Sequence, residues 1–148
     1  MMKRHDLREQ VFRLLFRASF HSPEDMEVQK LLFAGDLPAE DTKEALDEDT
    51  VKYVTERCGR IQEKIPEIDQ IINDNTEGWD TDRMGKVELS LLRLAVFEVL
   101  FDEDIPVSVA INEAVEIAKN YGQESSGAFV NAILGKVAKK AKEDESKS

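Results

Sequence analysis

The sequence predicts an all-α fold, a compact bundle of six or seven helices around one central helix. Apolar residues recur at spacings of three and four along most of the chain, as expected for one face of a helix. No segment alternates apolar and polar residues as a half-buried strand does. The length of 148 residues suits a single domain. We therefore predict one helical domain over residues 1–142 and a disordered tail over 143–148.

The first two helices are predicted before residue 35. An amphipathic pattern over residues 5–20 indicates the first helix, with its apolar face formed by Leu7, Val11, Leu14, Leu15 and Ala18. Ser22 and Pro23 have the residue types of an N-cap and a first helical position. The second helix is predicted to continue to about Ala34, and residues 36–41 are predicted to form a loop.

The third helix is predicted to begin near Asp47 and to end or kink at Pro66, because proline lacks a backbone donor and clashes with the preceding turn. Isoleucines over 68–72 indicate a further short turn, and residues 73–80 are predicted to be a loop in which Trp79 packs back on the body.

The next helix, 82–101, is apolar almost all round, as in a central buried helix. Its solvent-facing stripe is predicted to be Lys86, Ser90 and Arg93.

Two helices complete the predicted fold. Residues 107–121 carry one wide apolar face, which includes Val107 and Tyr121, and Gly122 is predicted to end this helix. Ser125 or Ser126 can cap the last helix. The apolar stripe of that helix consists of Val130, Ile133, Leu134, Val137 and Ala141.

Charge is distributed unevenly along this acidic chain. The formal net charge is −11, which argues against a protein that coats duplex DNA or anionic membranes with its whole surface. Residues 1–22 nevertheless carry five basic and two acidic side chains, and residues 136–148 carry five and three. Two basic ends on an acidic body are typical of a local surface for nucleic acid or another partner. The alternative is that both ends are solvated tails.

Neither a catalytic centre nor a cofactor or metal site is predicted. The single Cys58 and the two histidines, His5 and His21, do not have metal-ligand spacing. The chain lacks a glycine-rich phosphate loop and a nucleophile elbow. The apolar run 89–101 is too short to cross a membrane and the N-terminus is charged, so we expect a cytoplasmic, non-enzymatic binding protein.

Aromatic and basic side chains share two helix faces. Arg8, Phe12 and Phe16 follow one another at spacings of four residues, with Phe20 next in line. In the last helix, Phe129, Lys136 and Lys140 fall on one face. Single-stranded RNA is bound by such sets, because bases stack on rings while cations neutralise phosphates. The alternative is that the phenylalanines belong to the core and the lysines are solvated.

Glu88 is unusual because it projects from the central helix towards apolar neighbours, on the side of Met84 and Leu91. A carboxylate in that position is costly unless it is paired. Its partner is either an arginine of the same chain or a basic residue of another protein.

Three segments resemble the bacterial NusB family. They are GKVELSLLRLAVFE at 85–98, IPVSVAINEAVEIAK at 105–119 and FVNAIL at 129–134. The basic start around Arg4 and Arg8 is similar to the family's arginine-rich N-terminal helix. The resemblance implies two small helical bundles packed crosswise and a non-enzymatic transcription antitermination factor. It also implies binding to boxA elements of nascent ribosomal RNA together with the ribosomal protein NusE, in an RNA polymerase complex with other Nus factors.

The resemblance also assigns residues. The family's basic RNA-binding cluster falls on Lys3, Arg4, His5 and Arg8, its RNA-contacting aromatic residue on Phe129, and its NusE-contacting glutamate on Glu88. The charge pattern adds Lys136 to the RNA-binding set. Two alternatives remain open: a homodimer formed through the stripe of Phe12 and Phe16, and a stand-alone relative of the RNA-binding domain of ribosomal RNA methyltransferases.

Overall fold

The structure is a computed structural model that describes residues 3–19, 47–76, 81 and 84–147. These residues contain helices and no strand, so the prediction of an all-α fold is confirmed. In chain order the helices are α1 (Arg4–Ala18), α2 (Glu48–Glu63), α3 (Ile65–Asp74), α4 (Lys86–Phe101), α5 (Val107–Tyr121) and α6 (Ser126–Lys147). The predicted helix after Pro23, the loop 36–41 and Trp79 lie outside the described residues.

The chain divides into two compact units, residues 1–62 and residues 63–148. In the first unit, α1 matches the predicted amphipathic helix and ends two residues earlier than predicted. Its buried face consists of Leu7, Gln10, Val11, Phe12, Leu14 and Leu15. In α2, the Asp47 carboxylate caps the helix by accepting a hydrogen bond of 2.6 Å from the Thr50 amide. Hydrogen bonds from the side chain and from the backbone amide of Thr50 lower the pKa of Asp47.

Pro66 separates α2 from α3 as predicted, since α2 ends at Glu63 and the proline lies in the first turn of α3. The segment after it is a full helix of ten residues rather than a short turn. A proline in the first turn costs no helical hydrogen bond. Ile68 and Ile72, four residues apart, are both fully buried, so this short helix is stabilised by packing.

The central helix of the second unit is α4, which packs against α3, α5 and α6, so the prediction of a buried central helix is confirmed. It begins at Lys86 rather than residue 82, after a turn in which the Met84 amide donates to the Thr81 carbonyl. Of the predicted solvent stripe, Lys86 is exposed, but the prediction is wrong for Ser90 and Arg93. Ser90 is 1% exposed, and Arg93 forms an ion pair with Asp69, because α3 packs on this face.

The second unit is completed by α5 and α6, which pack against α4 and against each other. The buried positions of α5 are Ala110, Ala114, Ile117 and Ala118. Val107 and Tyr121, which the pattern places on the apolar face, are exposed because they stand in the first and last turns.

The helix α6 continues to Lys147, so residues 143–147 are helical where we predicted a disordered tail. The lysines and alanines that precede this segment are strong helix formers and favour such an extension.

A search of the described residues for membrane-spanning helices finds none that is sufficiently long and apolar.

Candidate nucleic-acid interface

The first turn of α1 presents the predicted basic cluster. Lys3 is the N-cap, in extended conformation, and its carbonyl accepts the first helical hydrogen bond, from the Leu7 amide at 2.9 Å. Lys3 and Arg4 are exposed, whereas His5 and Arg8 are partly buried. Arg4 and Arg8 are one turn apart and therefore neighbours on the helix surface. The structure thus places the cluster on one end of α1, beside the apolar face that begins at Leu7.

Acidic side chains interrupt this cluster. The ligand atoms of His5, Asp6 and Glu9 lie within 4.8 Å of one another, a grouping that could hold a cation. Cysteine and histidine spacing did not predict this grouping, because its three residues meet through one helical turn and two of them are carboxylates. Two carboxylates among the cations reduce the local positive charge. The net positive charge at this end of α1 is consequently small.

The aromatic stripe on α1 belongs mainly to the core. Phe12 is 2% exposed, and its ring packs against that of Phe16 with the centroids 6.1 Å apart. Phe16 is partly buried. Of the two interpretations that the sequence left open for Phe12, the burial of its side chain supports the core, since the stripe adjoins the apolar face and continues it. Phe20 lies outside the described residues.

The second predicted group lies on α6, in the other compact unit. Phe129 is partly buried, and Lys136 and Lys140 are exposed. Seven residues correspond to nearly two helical turns, so Phe129 and Lys136 share a face about 10 Å apart along the axis. The adjacent face of α6 carries the buried Val130, Ile133, Leu134 and Val137, as predicted. One helix thus offers a partly exposed ring and ammonium groups on the same side.

Glu88 has an internal partner, although that partner is neither of the kinds predicted. The Ser126 hydroxyl, in the first turn of α6, donates a 2.5 Å hydrogen bond to Glu88 Oε1. Ser126 is 2% exposed and also accepts a hydrogen bond of 2.9 Å from the Gln123 amide. No basic side chain among the described residues forms an ion pair with Glu88. Glu88 thus has no basic counterpart among the described residues, and it stands in the first turn of α4, where the helix dipole favours a carboxylate.

Two glycines make room for this hydrogen-bonded pair. A Cβ added at Gly85 would overlap Glu88 Oε2, and one added at Gly122 would lie 2.5 Å from Ser126 Oγ. The backbone of Gly122 has a φ of −98°, which any residue can adopt. Gly122 is therefore required because Ser126 approaches its backbone closely. The sequence pattern predicted only that Gly122 ends the preceding helix.

Comparison with known proteins agrees with this architecture. A family model described as NusB family matches residues 5–139. The chain is 46% identical to the transcription antitermination protein NusB of Lachnoclostridium phytofermentans, over 92% of this chain and 98% of the relative. It also resembles the structure of T. maritima NusB, with a TM-score of 0.78, 36% identity, and coverage of 93% of this chain and 92% of that one.

A further structural neighbour was crystallised as antitermination factors NusB and NusE in complex with double-stranded RNA. It has a TM-score of 0.73 and 25% identity, covering 93% of this chain and 98% of that one. These relatives are named for a role in transcription, in agreement with the prediction of a non-enzymatic protein. The resemblance that the sequence segments indicated is confirmed, and the chain belongs to the NusB family of transcription antitermination proteins.

Proposed function

We propose that this protein binds boxA-type single-stranded RNA in nascent ribosomal RNA transcripts, together with the ribosomal protein NusE. In complex with RNA polymerase and other Nus factors in the cytoplasm, it would then suppress premature termination. The observation that carries the proposal is the exposed basic first turn of α1 in a chain whose net charge is −11. A positive site maintained within so acidic a protein is suited to a specific anionic ligand.

RNA binding would use both groups of residues described above. Lys3, Arg4, His5 and Arg8 would contact phosphates, while a base would stack on Phe129 and Lys136 would neutralise a neighbouring phosphate. Asp6 and Glu9 weaken the positive field at α1. We therefore expect modest affinity for RNA alone and a need for a second protein.

NusE would supply that second contact through Glu88. The carboxylate is partly exposed and is not neutralised by a basic side chain among the described residues, so a cation of a partner can pair with it. The acidic body would also attract a basic ribosomal protein to this protein and disfavour nonspecific binding of RNA. The structural neighbour that contains NusB, NusE and RNA supports this combination of partners.

The experiment is a fluorescence anisotropy titration of a labelled boxA RNA, compared with a scrambled RNA of equal length and with boxA in duplex form. Each titration is done with and without NusE. We expect the protein to bind single-stranded boxA more tightly than either control, and NusE to increase that affinity by about tenfold or more, equivalent to at least about 1.4 kcal/mol. Equal affinity for all three RNAs in the presence of NusE would overturn the proposal.

A further inference from the structure

A groove lies in the second compact unit, where the C-terminal end of α3 meets α6. Its walls are the segment from Asp74 to Thr76 on one side and Lys136, Lys139, Lys140 and Glu143 on the other. The cavity has a volume of about 450 Å³, which is within the range of sites that hold small ligands. We call it the lysine groove.

Three ammonium groups converge on the lysine groove from one face of α6. Lys139 and Lys140 stand three and four residues after Lys136, so the three side chains are neighbours on the helix surface. Like charges at these spacings repel one another. Each lysine is exposed, and within the described part of the chain none forms an ion pair with a carboxylate.

The groove also contains the carboxylates of Asp74 and Glu143, so the formal charge of its lining is +1, and neither carboxylate forms an ion pair with these lysines. Asp74 instead accepts a hydrogen bond of 2.9 Å from the side-chain amide of Gln70, along its own helix. Asn75 donates its amide to the Ile71 carbonyl at 2.8 Å, which caps the end of α3. The polar groups of α3 are thus directed towards their own helix, and the excess of positive charge stays with the lysines.

The lysine groove continues the face of α6 that carries Phe129. Lys136 and Lys140 lie about 10 and 16 Å from Phe129 along the helix axis and on the same side. An extended single strand whose base stacks on Phe129 would meet these ammonium groups next if it followed α6 towards its C-terminus. Lys136 and Lys140 are about 6 Å apart along the axis, so they can contact successive backbone phosphates of a strand that follows the helix.

We propose that the lysine groove binds the phosphate backbone of the RNA segment that flanks the nucleotide stacked on Phe129. Lys139 and Lys140 are then RNA-binding residues in addition to those assigned by the family resemblance. This inference rests on the proposed function, since it extends the same RNA site along α6. Under the alternative, the lysines only stabilise the negative C-terminal end of α3 and RNA length has no effect.

The test uses the full chain with NusE and two lengths of RNA. The short RNA is the minimal boxA RNA. The long RNA carries six additional units at either the 5′ or the 3′ end, and each extension is made once with normal nucleotides and once with abasic units. The variants are Lys139→Gln with Lys140→Gln and, as a control of equal charge, Lys52→Gln with Lys142→Gln, whose side chains are exposed and outside the groove.

We expect one of the extensions to tighten binding to the wild-type chain by about threefold or more, whether or not it carries bases. The groove variant would lose this gain and lower the salt slope for the extended RNA by about 1.4, since each phosphate contact on a single strand contributes about 0.7. The control variant would retain the gain.

Any of three results would overturn the groove assignment: equal effects of both variants, no gain in affinity from either extension, or a gain that abasic units do not reproduce. In these cases binding of the minimal boxA RNA would persist and the proposed function would stand. Absence of wild-type binding to any boxA RNA would overturn both proposals.

Discussion

Glu88 and Ser126 join the first turns of α4 and α6 through a hydrogen bond of 2.5 Å. The two residues are 38 positions apart in the chain, and Ser126 is almost completely buried. A charged acceptor strengthens such a bond. The residue that we assign to partner binding therefore also fixes the start of the helix that carries Phe129.

Replacing Ser126 with alanine should destabilise the fold. The substitution removes the donor from a partly buried carboxylate, and a hydrogen bond to a charged group contributes about 1.5–3 kcal/mol. The free energy of unfolding in urea should fall by that amount. Ser125→Ala is the matched control, because the Ser125 side chain is exposed and, although its residue type could cap α6, its hydroxyl forms no hydrogen bond among the described residues. It should change stability by less than about 0.5 kcal/mol. Equal stability of the two variants would contradict the structural role of the bond.

The partner-binding role of Glu88 can be separated from its structural role with glutamine. The amide oxygen of Glu88→Gln can still accept the Ser126 hydroxyl, whereas the negative charge is lost. We expect NusE binding, measured by isothermal titration calorimetry, to weaken by about tenfold while the unfolding free energy falls by less than about 1 kcal/mol. Unchanged NusE affinity in this folded variant would contradict the assignment of Glu88.

Alanine substitutions at two glycines should change the free energy of unfolding in opposite directions. In Gly122→Ala the new Cβ would lie 2.6 Å from Ser126 Cβ and 2.9 Å from the Ala118 carbonyl oxygen, so backbone must shift. We expect a loss of about 1–3 kcal/mol. Gly135 stands in the interior of α6 with nothing within 4 Å of an added Cβ. Gly135→Ala should therefore stabilise the protein by about 0.5–1 kcal/mol. Thermal unfolding of both variants checks the pair, and a shared sign would contradict the packing described.

The ion pair between Arg93 and Asp69 should contribute more than an exposed pair does. Arg93 donates from Nε at 2.9 Å and from Nη2 at 2.7 Å to the two carboxylate oxygens, and the side chains are 18% and 21% exposed. Lysine cannot form this bidentate contact, so Arg93→Lys should cost about 1–3 kcal/mol of unfolding free energy.

The control for that substitution is the exposed pair of Lys64 and Glu67, 3.8 Å apart with side chains 47% and 57% exposed. Glu67→Gln should change stability by less than about 0.5 kcal/mol in the same urea titration. If the two substitutions had equal effects, the pair between α3 and α4 would be no more than a surface contact.

The periodicity of the sequence was sufficient to predict the helices that bury one clear face. The beginning and end of α5 and the division between α2 and α3 at Pro66 were predicted closely, because proline and glycine act locally. The burial of Ser90 was not predictable from its own helix. It depends on α3 packing over that face of α4, which is a long-range contact.

The candidate site was predictable only where residue type alone indicates its chemistry. The basic residues around Arg4 and the aromatic Phe129 could be identified from charge, spacing and family resemblance. Phe12 was ambiguous because an aromatic stripe beside an apolar face suits either core or ligand, and its burial decided for the core. The partner of Glu88 and the lysine groove both depend on contacts between distant helices, which the sequence pattern does not contain.

The most direct test of RNA binding at the basic start of α1 is the salt dependence of boxA affinity in the presence of NusE. We compare the wild type with Arg4→Ala/Arg8→Ala and with Lys52→Ala/Arg60→Ala, a control that removes two charges from exposed positions of α2. Circular dichroism verifies that each variant is folded. We expect the slope of log affinity against log salt to fall by about 1.4 for the α1 variant and to be unchanged for the control. An α1 variant that is folded and keeps the wild-type affinity and slope would contradict RNA binding at the start of α1.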